Sequence, residues 1–257
     1  MRSILIVLLL ATPAFSQGFY AIGEGLCWRP YSGDFQNYYN SGLKTDHDWD
    51  AGVRAGVGFQ HLLGFDVSWT YTWFDTDAVR TQNAPINAYT SYGDLDYQVH
   101  DFQVGRVYCL HPCFQLEPFA GFRWGQIDYS RRDTEITPNS FGVMNAHSFT
   151  DSYGLRLGAK GKLCLLGQLS LFGHGAVTGS FATTENRGTG WDVTDNHENH
   201  AVDAAAGLSW QCGFLEVASG YEWNWWADSI QRSSATSQPD YADLLLEGAF
   251  LRMTGRY

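Results

Sequence analysis

From about residue 19 to residue 257 the chain repeats one device. Segments in which apolar and polar residues alternate at every other position are joined by connections that are alternately short and long. In Trp49-Asp50-Ala51-Gly52-Val53-Arg54-Ala55-Gly56-Val57-Gly58-Phe59-Gln60 the odd positions are apolar, and the even ones are Asp, Gly, Arg and Gln. Side chains on a strand point to opposite faces with period two, so this is a strand with one oily and one wet face. After His61-Leu62-Leu63-Gly64 the pattern restarts and sets Phe65, Val67, Trp69, Tyr71 and Trp73 on a single face. Three large aromatics in a row burden a surface in water but suit one that meets lipid.

The two ends decide between water and membrane. Arg2, the apolar run Ile4–Leu10 and the small-residue site around Ala14-Phe15-Ser16 read as a secretory signal over residues 1–16, leaving 17–257 as one domain. The apolar run is too short to span a bilayer, and nothing after residue 16 reaches the roughly 18 consecutive apolar residues of a membrane helix. An exported chain of this kind enters a membrane only as a closed barrel, which satisfies its own backbone hydrogen bonds. The chain is 16% aromatic and only 17% charged, which fits a barrel better than a soluble enzyme. A net charge of −11 excludes a nucleic-acid partner, whose ligands need Lys and Arg.

Ten strand candidates follow: 19–28, 49–61, 64–74, 95–109, 114–126, 150–163, 168–182, 199–211, 214–226 and 242–257. The connections 61–64, 110–113, 164–167 and 212–213 are short; 29–48, 75–94, 127–149, 183–198 and 227–241 are long. This alternation predicts an all-β fold: a transmembrane antiparallel β-barrel of about ten strands, with short periplasmic turns, long outer loops and both termini periplasmic. Trp73, Trp124, Trp223 and Trp225 fall at the long-loop ends of their strands, where an outer aromatic girdle sits. Two places break the pattern. The fourth candidate changes phase near His100-Asp101, which predicts a β-bulge. Pro118 removes a ladder donor from the fifth and belongs near the periplasmic rim. A secreted β-sandwich, the competing fold, would turn its oily faces toward each other and has no use for Trp and Tyr at strand ends.

The wet faces carry the candidate chemistry. Asp50, Arg54, Asp66, Glu117, Arg123, Arg156, Lys160, Asp203, Glu216, Glu222 and Arg252 point inward on this phasing and are the candidate pore-lining residues; Glu24, Lys162 and Arg256 share their face. A barrel near ten strands is narrow. These residues therefore form either a thin charged water path that sorts solutes by sign and size, or an ion-paired plug. Inward glycines such as Gly52, Gly125 and Gly158 remove bulk and favour open space. No cofactor or metal is expected, since no Cys-x-x-Cys spacing occurs. Of the five cysteines (Cys27, Cys109, Cys113, Cys164 and Cys212), Cys109 and Cys113 flank a tight turn and are the disulfide candidates. An odd number leaves a thiol for a neighbouring chain.

Two other function classes have a foothold. Asp195-Asn196-His197 and Asp94-Leu95-Asp96 lie where long loops re-enter the wall. Facing each other, they would form an omptin-like proteolytic site in which an Asp–His pair activates water; solvated loop ends are the preferred reading. The long loops are acidic on balance, which suits lipopolysaccharide bridged by divalent cations, or a loop-borne adhesin or receptor.

Three stretches resemble a known family. They are Phe19-Tyr20-Ala21 to Cys27-Trp28-Arg29-Pro30 followed by Asp48–Gly56, then Leu116-Glu117-Pro118-Phe119-Ala120-Gly121-Phe122-Arg123-Trp124, and Asp243–Gly248 running to Tyr257. Together they resemble the Legionella-type major outer membrane proteins, with a terminal Tyr257 where Phe is commoner. The resemblance implies an outer-membrane location, a porin or structural role without catalysis, disulfide-linked complexes or homo-oligomers, and a terminal strand read by the barrel-assembly machinery. It implies no particular solute.

Overall fold

The structure, a computed structural model, describes residues 18–33, 35, 47–83, 87–188, 191–231 and 241–257. The segment 1–16 and most of the first and last long connections lie outside the described residues. The strands are β1 (Phe19–Ser32), β2 (Asp50–Leu62), β3 (Phe65–Asn83), β4 (Ala88–Gly105), β5 (Tyr108–His111), β6 (Phe114–Ile136), β7 (Phe141–Leu166), β8 (Leu169–Gly188), β9 (Trp191–Cys212), β10 (Leu215–Gln231) and β11 (Tyr241–Arg256). All sequence neighbours except β4 and β5 pair antiparallel with one another; β1 pairs β11, and β4 pairs β6, which closes the sheet. β4 and β5 meet β6 in continuous register, Gly105↔Phe119 and then Tyr108↔Leu116, so they are one wall strand and the 11 segments make a barrel of ten. The break between them lies opposite Pro118. Arg106 donates its N–H to the Pro118 carbonyl at 3.2 Å, and Pro118 has no N–H to return.

The oily faces point out, as the alternation requires. On β3 the residues Phe65, Val67, Trp69, Tyr71 and Trp73 face outward while Asp66, Ser68, Thr70 and Thr72 face the lumen. On β6 the outward set from Phe114 to Trp124 is apolar, and Gln126, Asp128 and Ser130 follow it. Ten residues at ~3.3 Å each, tilted by ~40°, rise ~25 Å, the height of the apolar band of an outer-membrane barrel. Both described ends lie at the short-turn end: the Tyr257 amide donates to the Phe19 carbonyl at 2.9 Å.

Beyond the Trp girdle the strands continue. Connections expected to be long loops, 75–94, 127–149 and 183–198, are mostly ladder, and only 137–140 separates β6 from β7. The expected bulge at His100-Asp101 is absent. β4 runs in unbroken register against β3 from Gly105↔Asp66 to Ala88↔Asn83, and equally against β6. What changes there is the surroundings. Above the girdle the outer face meets water and carries Asp94, Asp96 and Gln98, while the inner face becomes apolar with Leu95, Tyr97 and Val99, each at most 2% exposed. The oily side of one strand passes from outside to inside without any change in geometry.

Those inward side chains form a core that fills the outer half of the lumen. Trp28, Phe74, Leu95, Ile127, Tyr129, Trp226, Ile230, Leu244 and Leu246 pack there, and Phe35 from the first long connection joins them. The Phe35 ring lies 5.2 Å from Tyr129 and 4.7 Å from His47. The inward glycines do not leave free space, contrary to expectation. A Cβ on Gly125 would stand 2.7 Å from the Trp226 ring, and one on Gly158 2.5 Å from the Phe119 ring, so these glycines are sockets for aromatic side chains.

Candidate functional site: the barrel lumen

Below the apolar core the lumen is held by two ion-pair clusters contributed by nine strands. In the first, Glu24 on β1 accepts from Arg54 on β2 and from Arg252 on β11. Arg54 also reaches Glu222 on β10 at 3.1 Å, and the Trp28 indole donates to Glu222 at 2.9 Å. In the second, Arg123 on β6 makes two bonds to Asp101 on β4, Nε–Oδ1 at 2.6 Å and Nη2–Oδ2 at 2.8 Å, and one to Asp203 on β9 at 3.0 Å. Arg156 on β7 reaches Asp101 at 2.8 Å and also binds Asp203, which His174 on β8 approaches at 3.3 Å. Fork geometry lets each guanidinium satisfy two carboxylates at once. The guanidinium planes lie against rings: Arg54 over Trp28 at 5.6 Å, Arg123 over Trp226 at 5.5 Å, Arg156 over Phe119 at 5.5 Å and Arg252 over Phe250 at 5.0 Å.

Toward the short-turn end the pairs become more exposed. Lys160 binds Glu117 at 3.0 Å; Lys162 and Arg256 bind Glu216 at 2.9 and 2.7 Å. A cavity of about 290 Å³ runs from this rim up to the buried pairs, lined by Tyr20, Ser68, Glu117, Lys160, Glu216 and Arg256 among others. The carboxylates Glu24, Asp66, Asp101, Glu117, Asp203, Glu216 and Glu222 number seven; the cations Arg54, Arg123, Arg156, Lys160, Lys162, Arg252 and Arg256 also number seven. The lumen is therefore close to neutral, and all of these side chains except Asp66 are bonded to one of opposite sign.

Of the pore-lining candidates, Arg54, Asp66, Glu117, Arg123, Arg156, Lys160, Asp203, Glu216, Glu222 and Arg252 all border this one cavity. Asp50 does not: it lies nearer the outer end and accepts from the Thr76 hydroxyl at 2.5 Å. Asp66 accepts from the His61 amide at 2.8 Å. Sequence reasoning missed Asp101, because the expected bulge would have turned it outward; unbroken parity with Tyr97 and Val99 was the signal. The disulfide candidates Cys109 and Cys113 are both free thiols, and Cys109 lies opposite Gln115, a diagonal step from Cys113.

The proposed Asp–His and Asp–Asp motifs do not face each other. Asp195 and His197 point toward the lumen mouth, where the Tyr241 hydroxyl donates to Asp195 at 2.5 Å and the Tyr241 ring lies tilted against the His197 ring at 4.2 Å. His197 Nε2 bonds the Asp228 carbonyl at 2.9 Å. Asp94 and Asp96 are on the outer face, beside Asp75, Asp77 and Asp128. Carboxylates directly across a ladder repel. Burial, and then the neighbouring carboxylates, raise the pKa values of Asp75 and Asp94 above the usual carboxylate range, and the Tyr92 hydroxyl opposes this at Asp94. Among the described residues no group of His, Cys, Asp and Glu could hold a metal.

A closed antiparallel barrel with a lipid-facing apolar band, an aromatic girdle and a polar lumen is an outer-membrane β-barrel protein. The sequence pattern described as the Legionella pneumophila major outer membrane protein precursor matches residues 12–255, and the chain belongs to that family. A comparison with curated protein sequences returns no match. Among solved structures, the outer membrane protease OmpT from Escherichia coli is similar in fold, with a TM-score of 0.66 at 9% identity, covering 93% of this chain and 97% of that one. The translocator domain of the autotransporter NalP from Neisseria meningitidis (8% identity, 93% and 89% covered) and the Pseudomonas putida toluene transporter TodX (6% identity, 94% and 90% covered) give TM-scores of 0.43 and 0.37.

Proposed function

We propose that this protein is a structural barrel of the bacterial outer membrane whose lumen rests closed, so that small solutes or ions pass only when the apolar core in its outer half is displaced. The observation that carries this reading is that core: Trp28, Phe74, Leu95, Ile230, Leu244 and Leu246 are all fully buried where an open pore would hold water. The neutral, mutually bonded charges beneath it support the same reading, since a filter that selects by sign needs unpaired charge facing the path. Short turns and both termini face the periplasm, the longer hairpins face outward, and the terminal Tyr257 strand is the one offered to the assembly machinery. Lipopolysaccharide and the other outer-membrane lipids contact the apolar band and the acidic strip above it. No catalysis is assigned.

The test is single-channel recording on the refolded protein in planar bilayers at low voltage. A quiet baseline, with conductance steps appearing only after denaturant or high voltage loosens the outer half, is the expected result. Long-lived, regular steps from the undisturbed protein would overturn the reading.

A further inference from the structure

Cys113, in the turn between β5 and β6, meets Cys164 at the short-turn end of the β6–β7 seam. The ladder there begins at Phe114↔Leu163, and one step further the Cys164 amide donates to the Cys113 carbonyl at 2.8 Å. Cys164 takes the lumen side with Lys162 and Lys160, and Cys113 closes the Pro112-Cys113 turn that leads into Gln115 and Glu117 on that side. The Lys160–Glu117 bridge of 3.0 Å, four register pairs along the same seam, shows that side chains opposed across it touch. The single N–H···O bond from Cys164 to Cys113 sets their Cα atoms about as close as in a hydrogen-bonded antiparallel pair, about 5.5 Å, inside the range a disulfide spans. Both thiols are exposed and free.

The other cysteines have no such partner. Cys109 is opposite Gln115, and the register slips just beyond it. Cys212 is opposite Leu215 in another seam, and Cys27, on the outer face, lies between Ala51 and Ala249. The seam is also weak where Cys113 sits. Its amide is diverted to His111 Nδ1 at 3.2 Å, so the backbone pair is not reciprocated.

We propose that Cys113 and Cys164 form an intramolecular disulfide that staples the rim between β6 and β7, the thiols in this structure being its reduced form. Two S–H bonds are lost and one Sγ–Sγ bond forms. Two protons go to solvent, and two electrons reduce the disulfide of an envelope thiol–disulfide oxidant through a mixed disulfide. The bond encloses residues 113–164 and restricts the unfolded chain more than a bond across one turn would. It also leaves Cys109 and Cys212 as the free thiols at the short-turn end.

The test is a peptide map of protein taken from outer membranes, alkylated before lysis and digested with trypsin without reductant. Cleavage after Arg106, Arg123, Lys162 and Arg187 places Cys109 and Cys113 together in 107–123 and Cys164 in 163–187. The expected product is these two peptides joined, still joined in Cys109→Ser and separate in Cys113→Ser. Three outcomes would overturn the proposal: alkylated Cys113 and Cys164 in the parent protein, a Cys109–Cys113 bond closed within one peptide, or Cys113 joined to a second chain.

Discussion

Replacing Asp203 with Ala removes the carboxylate on which two buried guanidiniums and one imidazole converge. Asp203 is 2% exposed, and its partners Arg123 and Arg156 are 5% and 4% exposed. Without it both cations must share Asp101, which already takes two bonds from Arg123 and one from Arg156. Breaking a buried pair by deleting one partner costs about 3–5 kcal/mol, because a charge is left buried and uncompensated. With two cations affected, the upper part of that range is expected. The control is Glu185→Ala, which removes the partner of Arg187 in a pair that is 43% and 62% exposed; such surface pairs contribute roughly 0–1 kcal/mol. Urea unfolding of the refolded protein in lipid vesicles, followed by tryptophan emission, measures both. Adding Arg156→Met to Asp203→Ala should recover part of the loss, since it removes one stranded cation. If Asp203→Ala costs no more than Glu185→Ala, or if Arg156→Met deepens the loss, the lumen is hydrated at this level and the buried-network argument fails.

Two further outcomes follow from the same geometry. Gly125→Ala drives a methyl to within 2.7 Å of the buried Trp226 ring, and overpacking of this kind costs about 1–3 kcal/mol; thermal unfolding should fall for Gly125→Ala and not for Gly179→Ala, where a Cβ meets nothing within 4 Å. Asp94→Asn relieves the acidic strip. Because the folded protein holds Asp94 and Asp75 above the usual carboxylate range, these two sites bind more protons folded than unfolded. Their contribution to stability therefore falls as pH rises from the unfolded to the folded pKa. Melting curves across acidic pH should show the variant gaining on the parent protein as pH rises through that window; a constant difference between them would remove the repulsion argument.

The part of the fold that lies in lipid was legible because one solvent condition governs it. Between Phe65 and Trp73 every second residue is apolar for the same reason, and counting by two recovers strand, face and lumen side. Above the girdle that reason reverses. Leu95, Tyr97 and Val99 keep their parity but face inward, and a reading that equates apolar with outward must invent a bulge. The same error hid Asp101 and shortened the strands. The aromatic fill of the lumen was less visible still. Trp226 directly follows the outward Trp225, and nothing local says that Gly125, about a hundred residues earlier, is the gap its ring enters. The Cys113–Cys164 pairing depends on the β6–β7 register, which no segment specifies alone.

This inversion also bears on whether the barrel conducts. In the lipid-embedded half the outer face stays apolar in an apolar medium, and cohesion comes from backbone bonds and the satisfied charges inside. In the outer half the wall stands in water on its outer side. Only the inward apolar side chains can drive its folding there, as in a soluble protein. Trp28, Trp226 and Ile230 are thus the core on which the protruding ladder depends, rather than a stopper added to a finished tube. Opening a path past them exposes apolar side chains whose burial contributes about 1.5–3 kcal/mol each, and it lifts Trp28 and Trp226 from Arg54 and Arg123 beneath them. A hinged loop could swing aside at little cost, but this layer cannot. Any conducting state must be reached by rearranging the outer ladder itself, so conductance and loosening of β4, β6 and β10 above the girdle should rise together with denaturant.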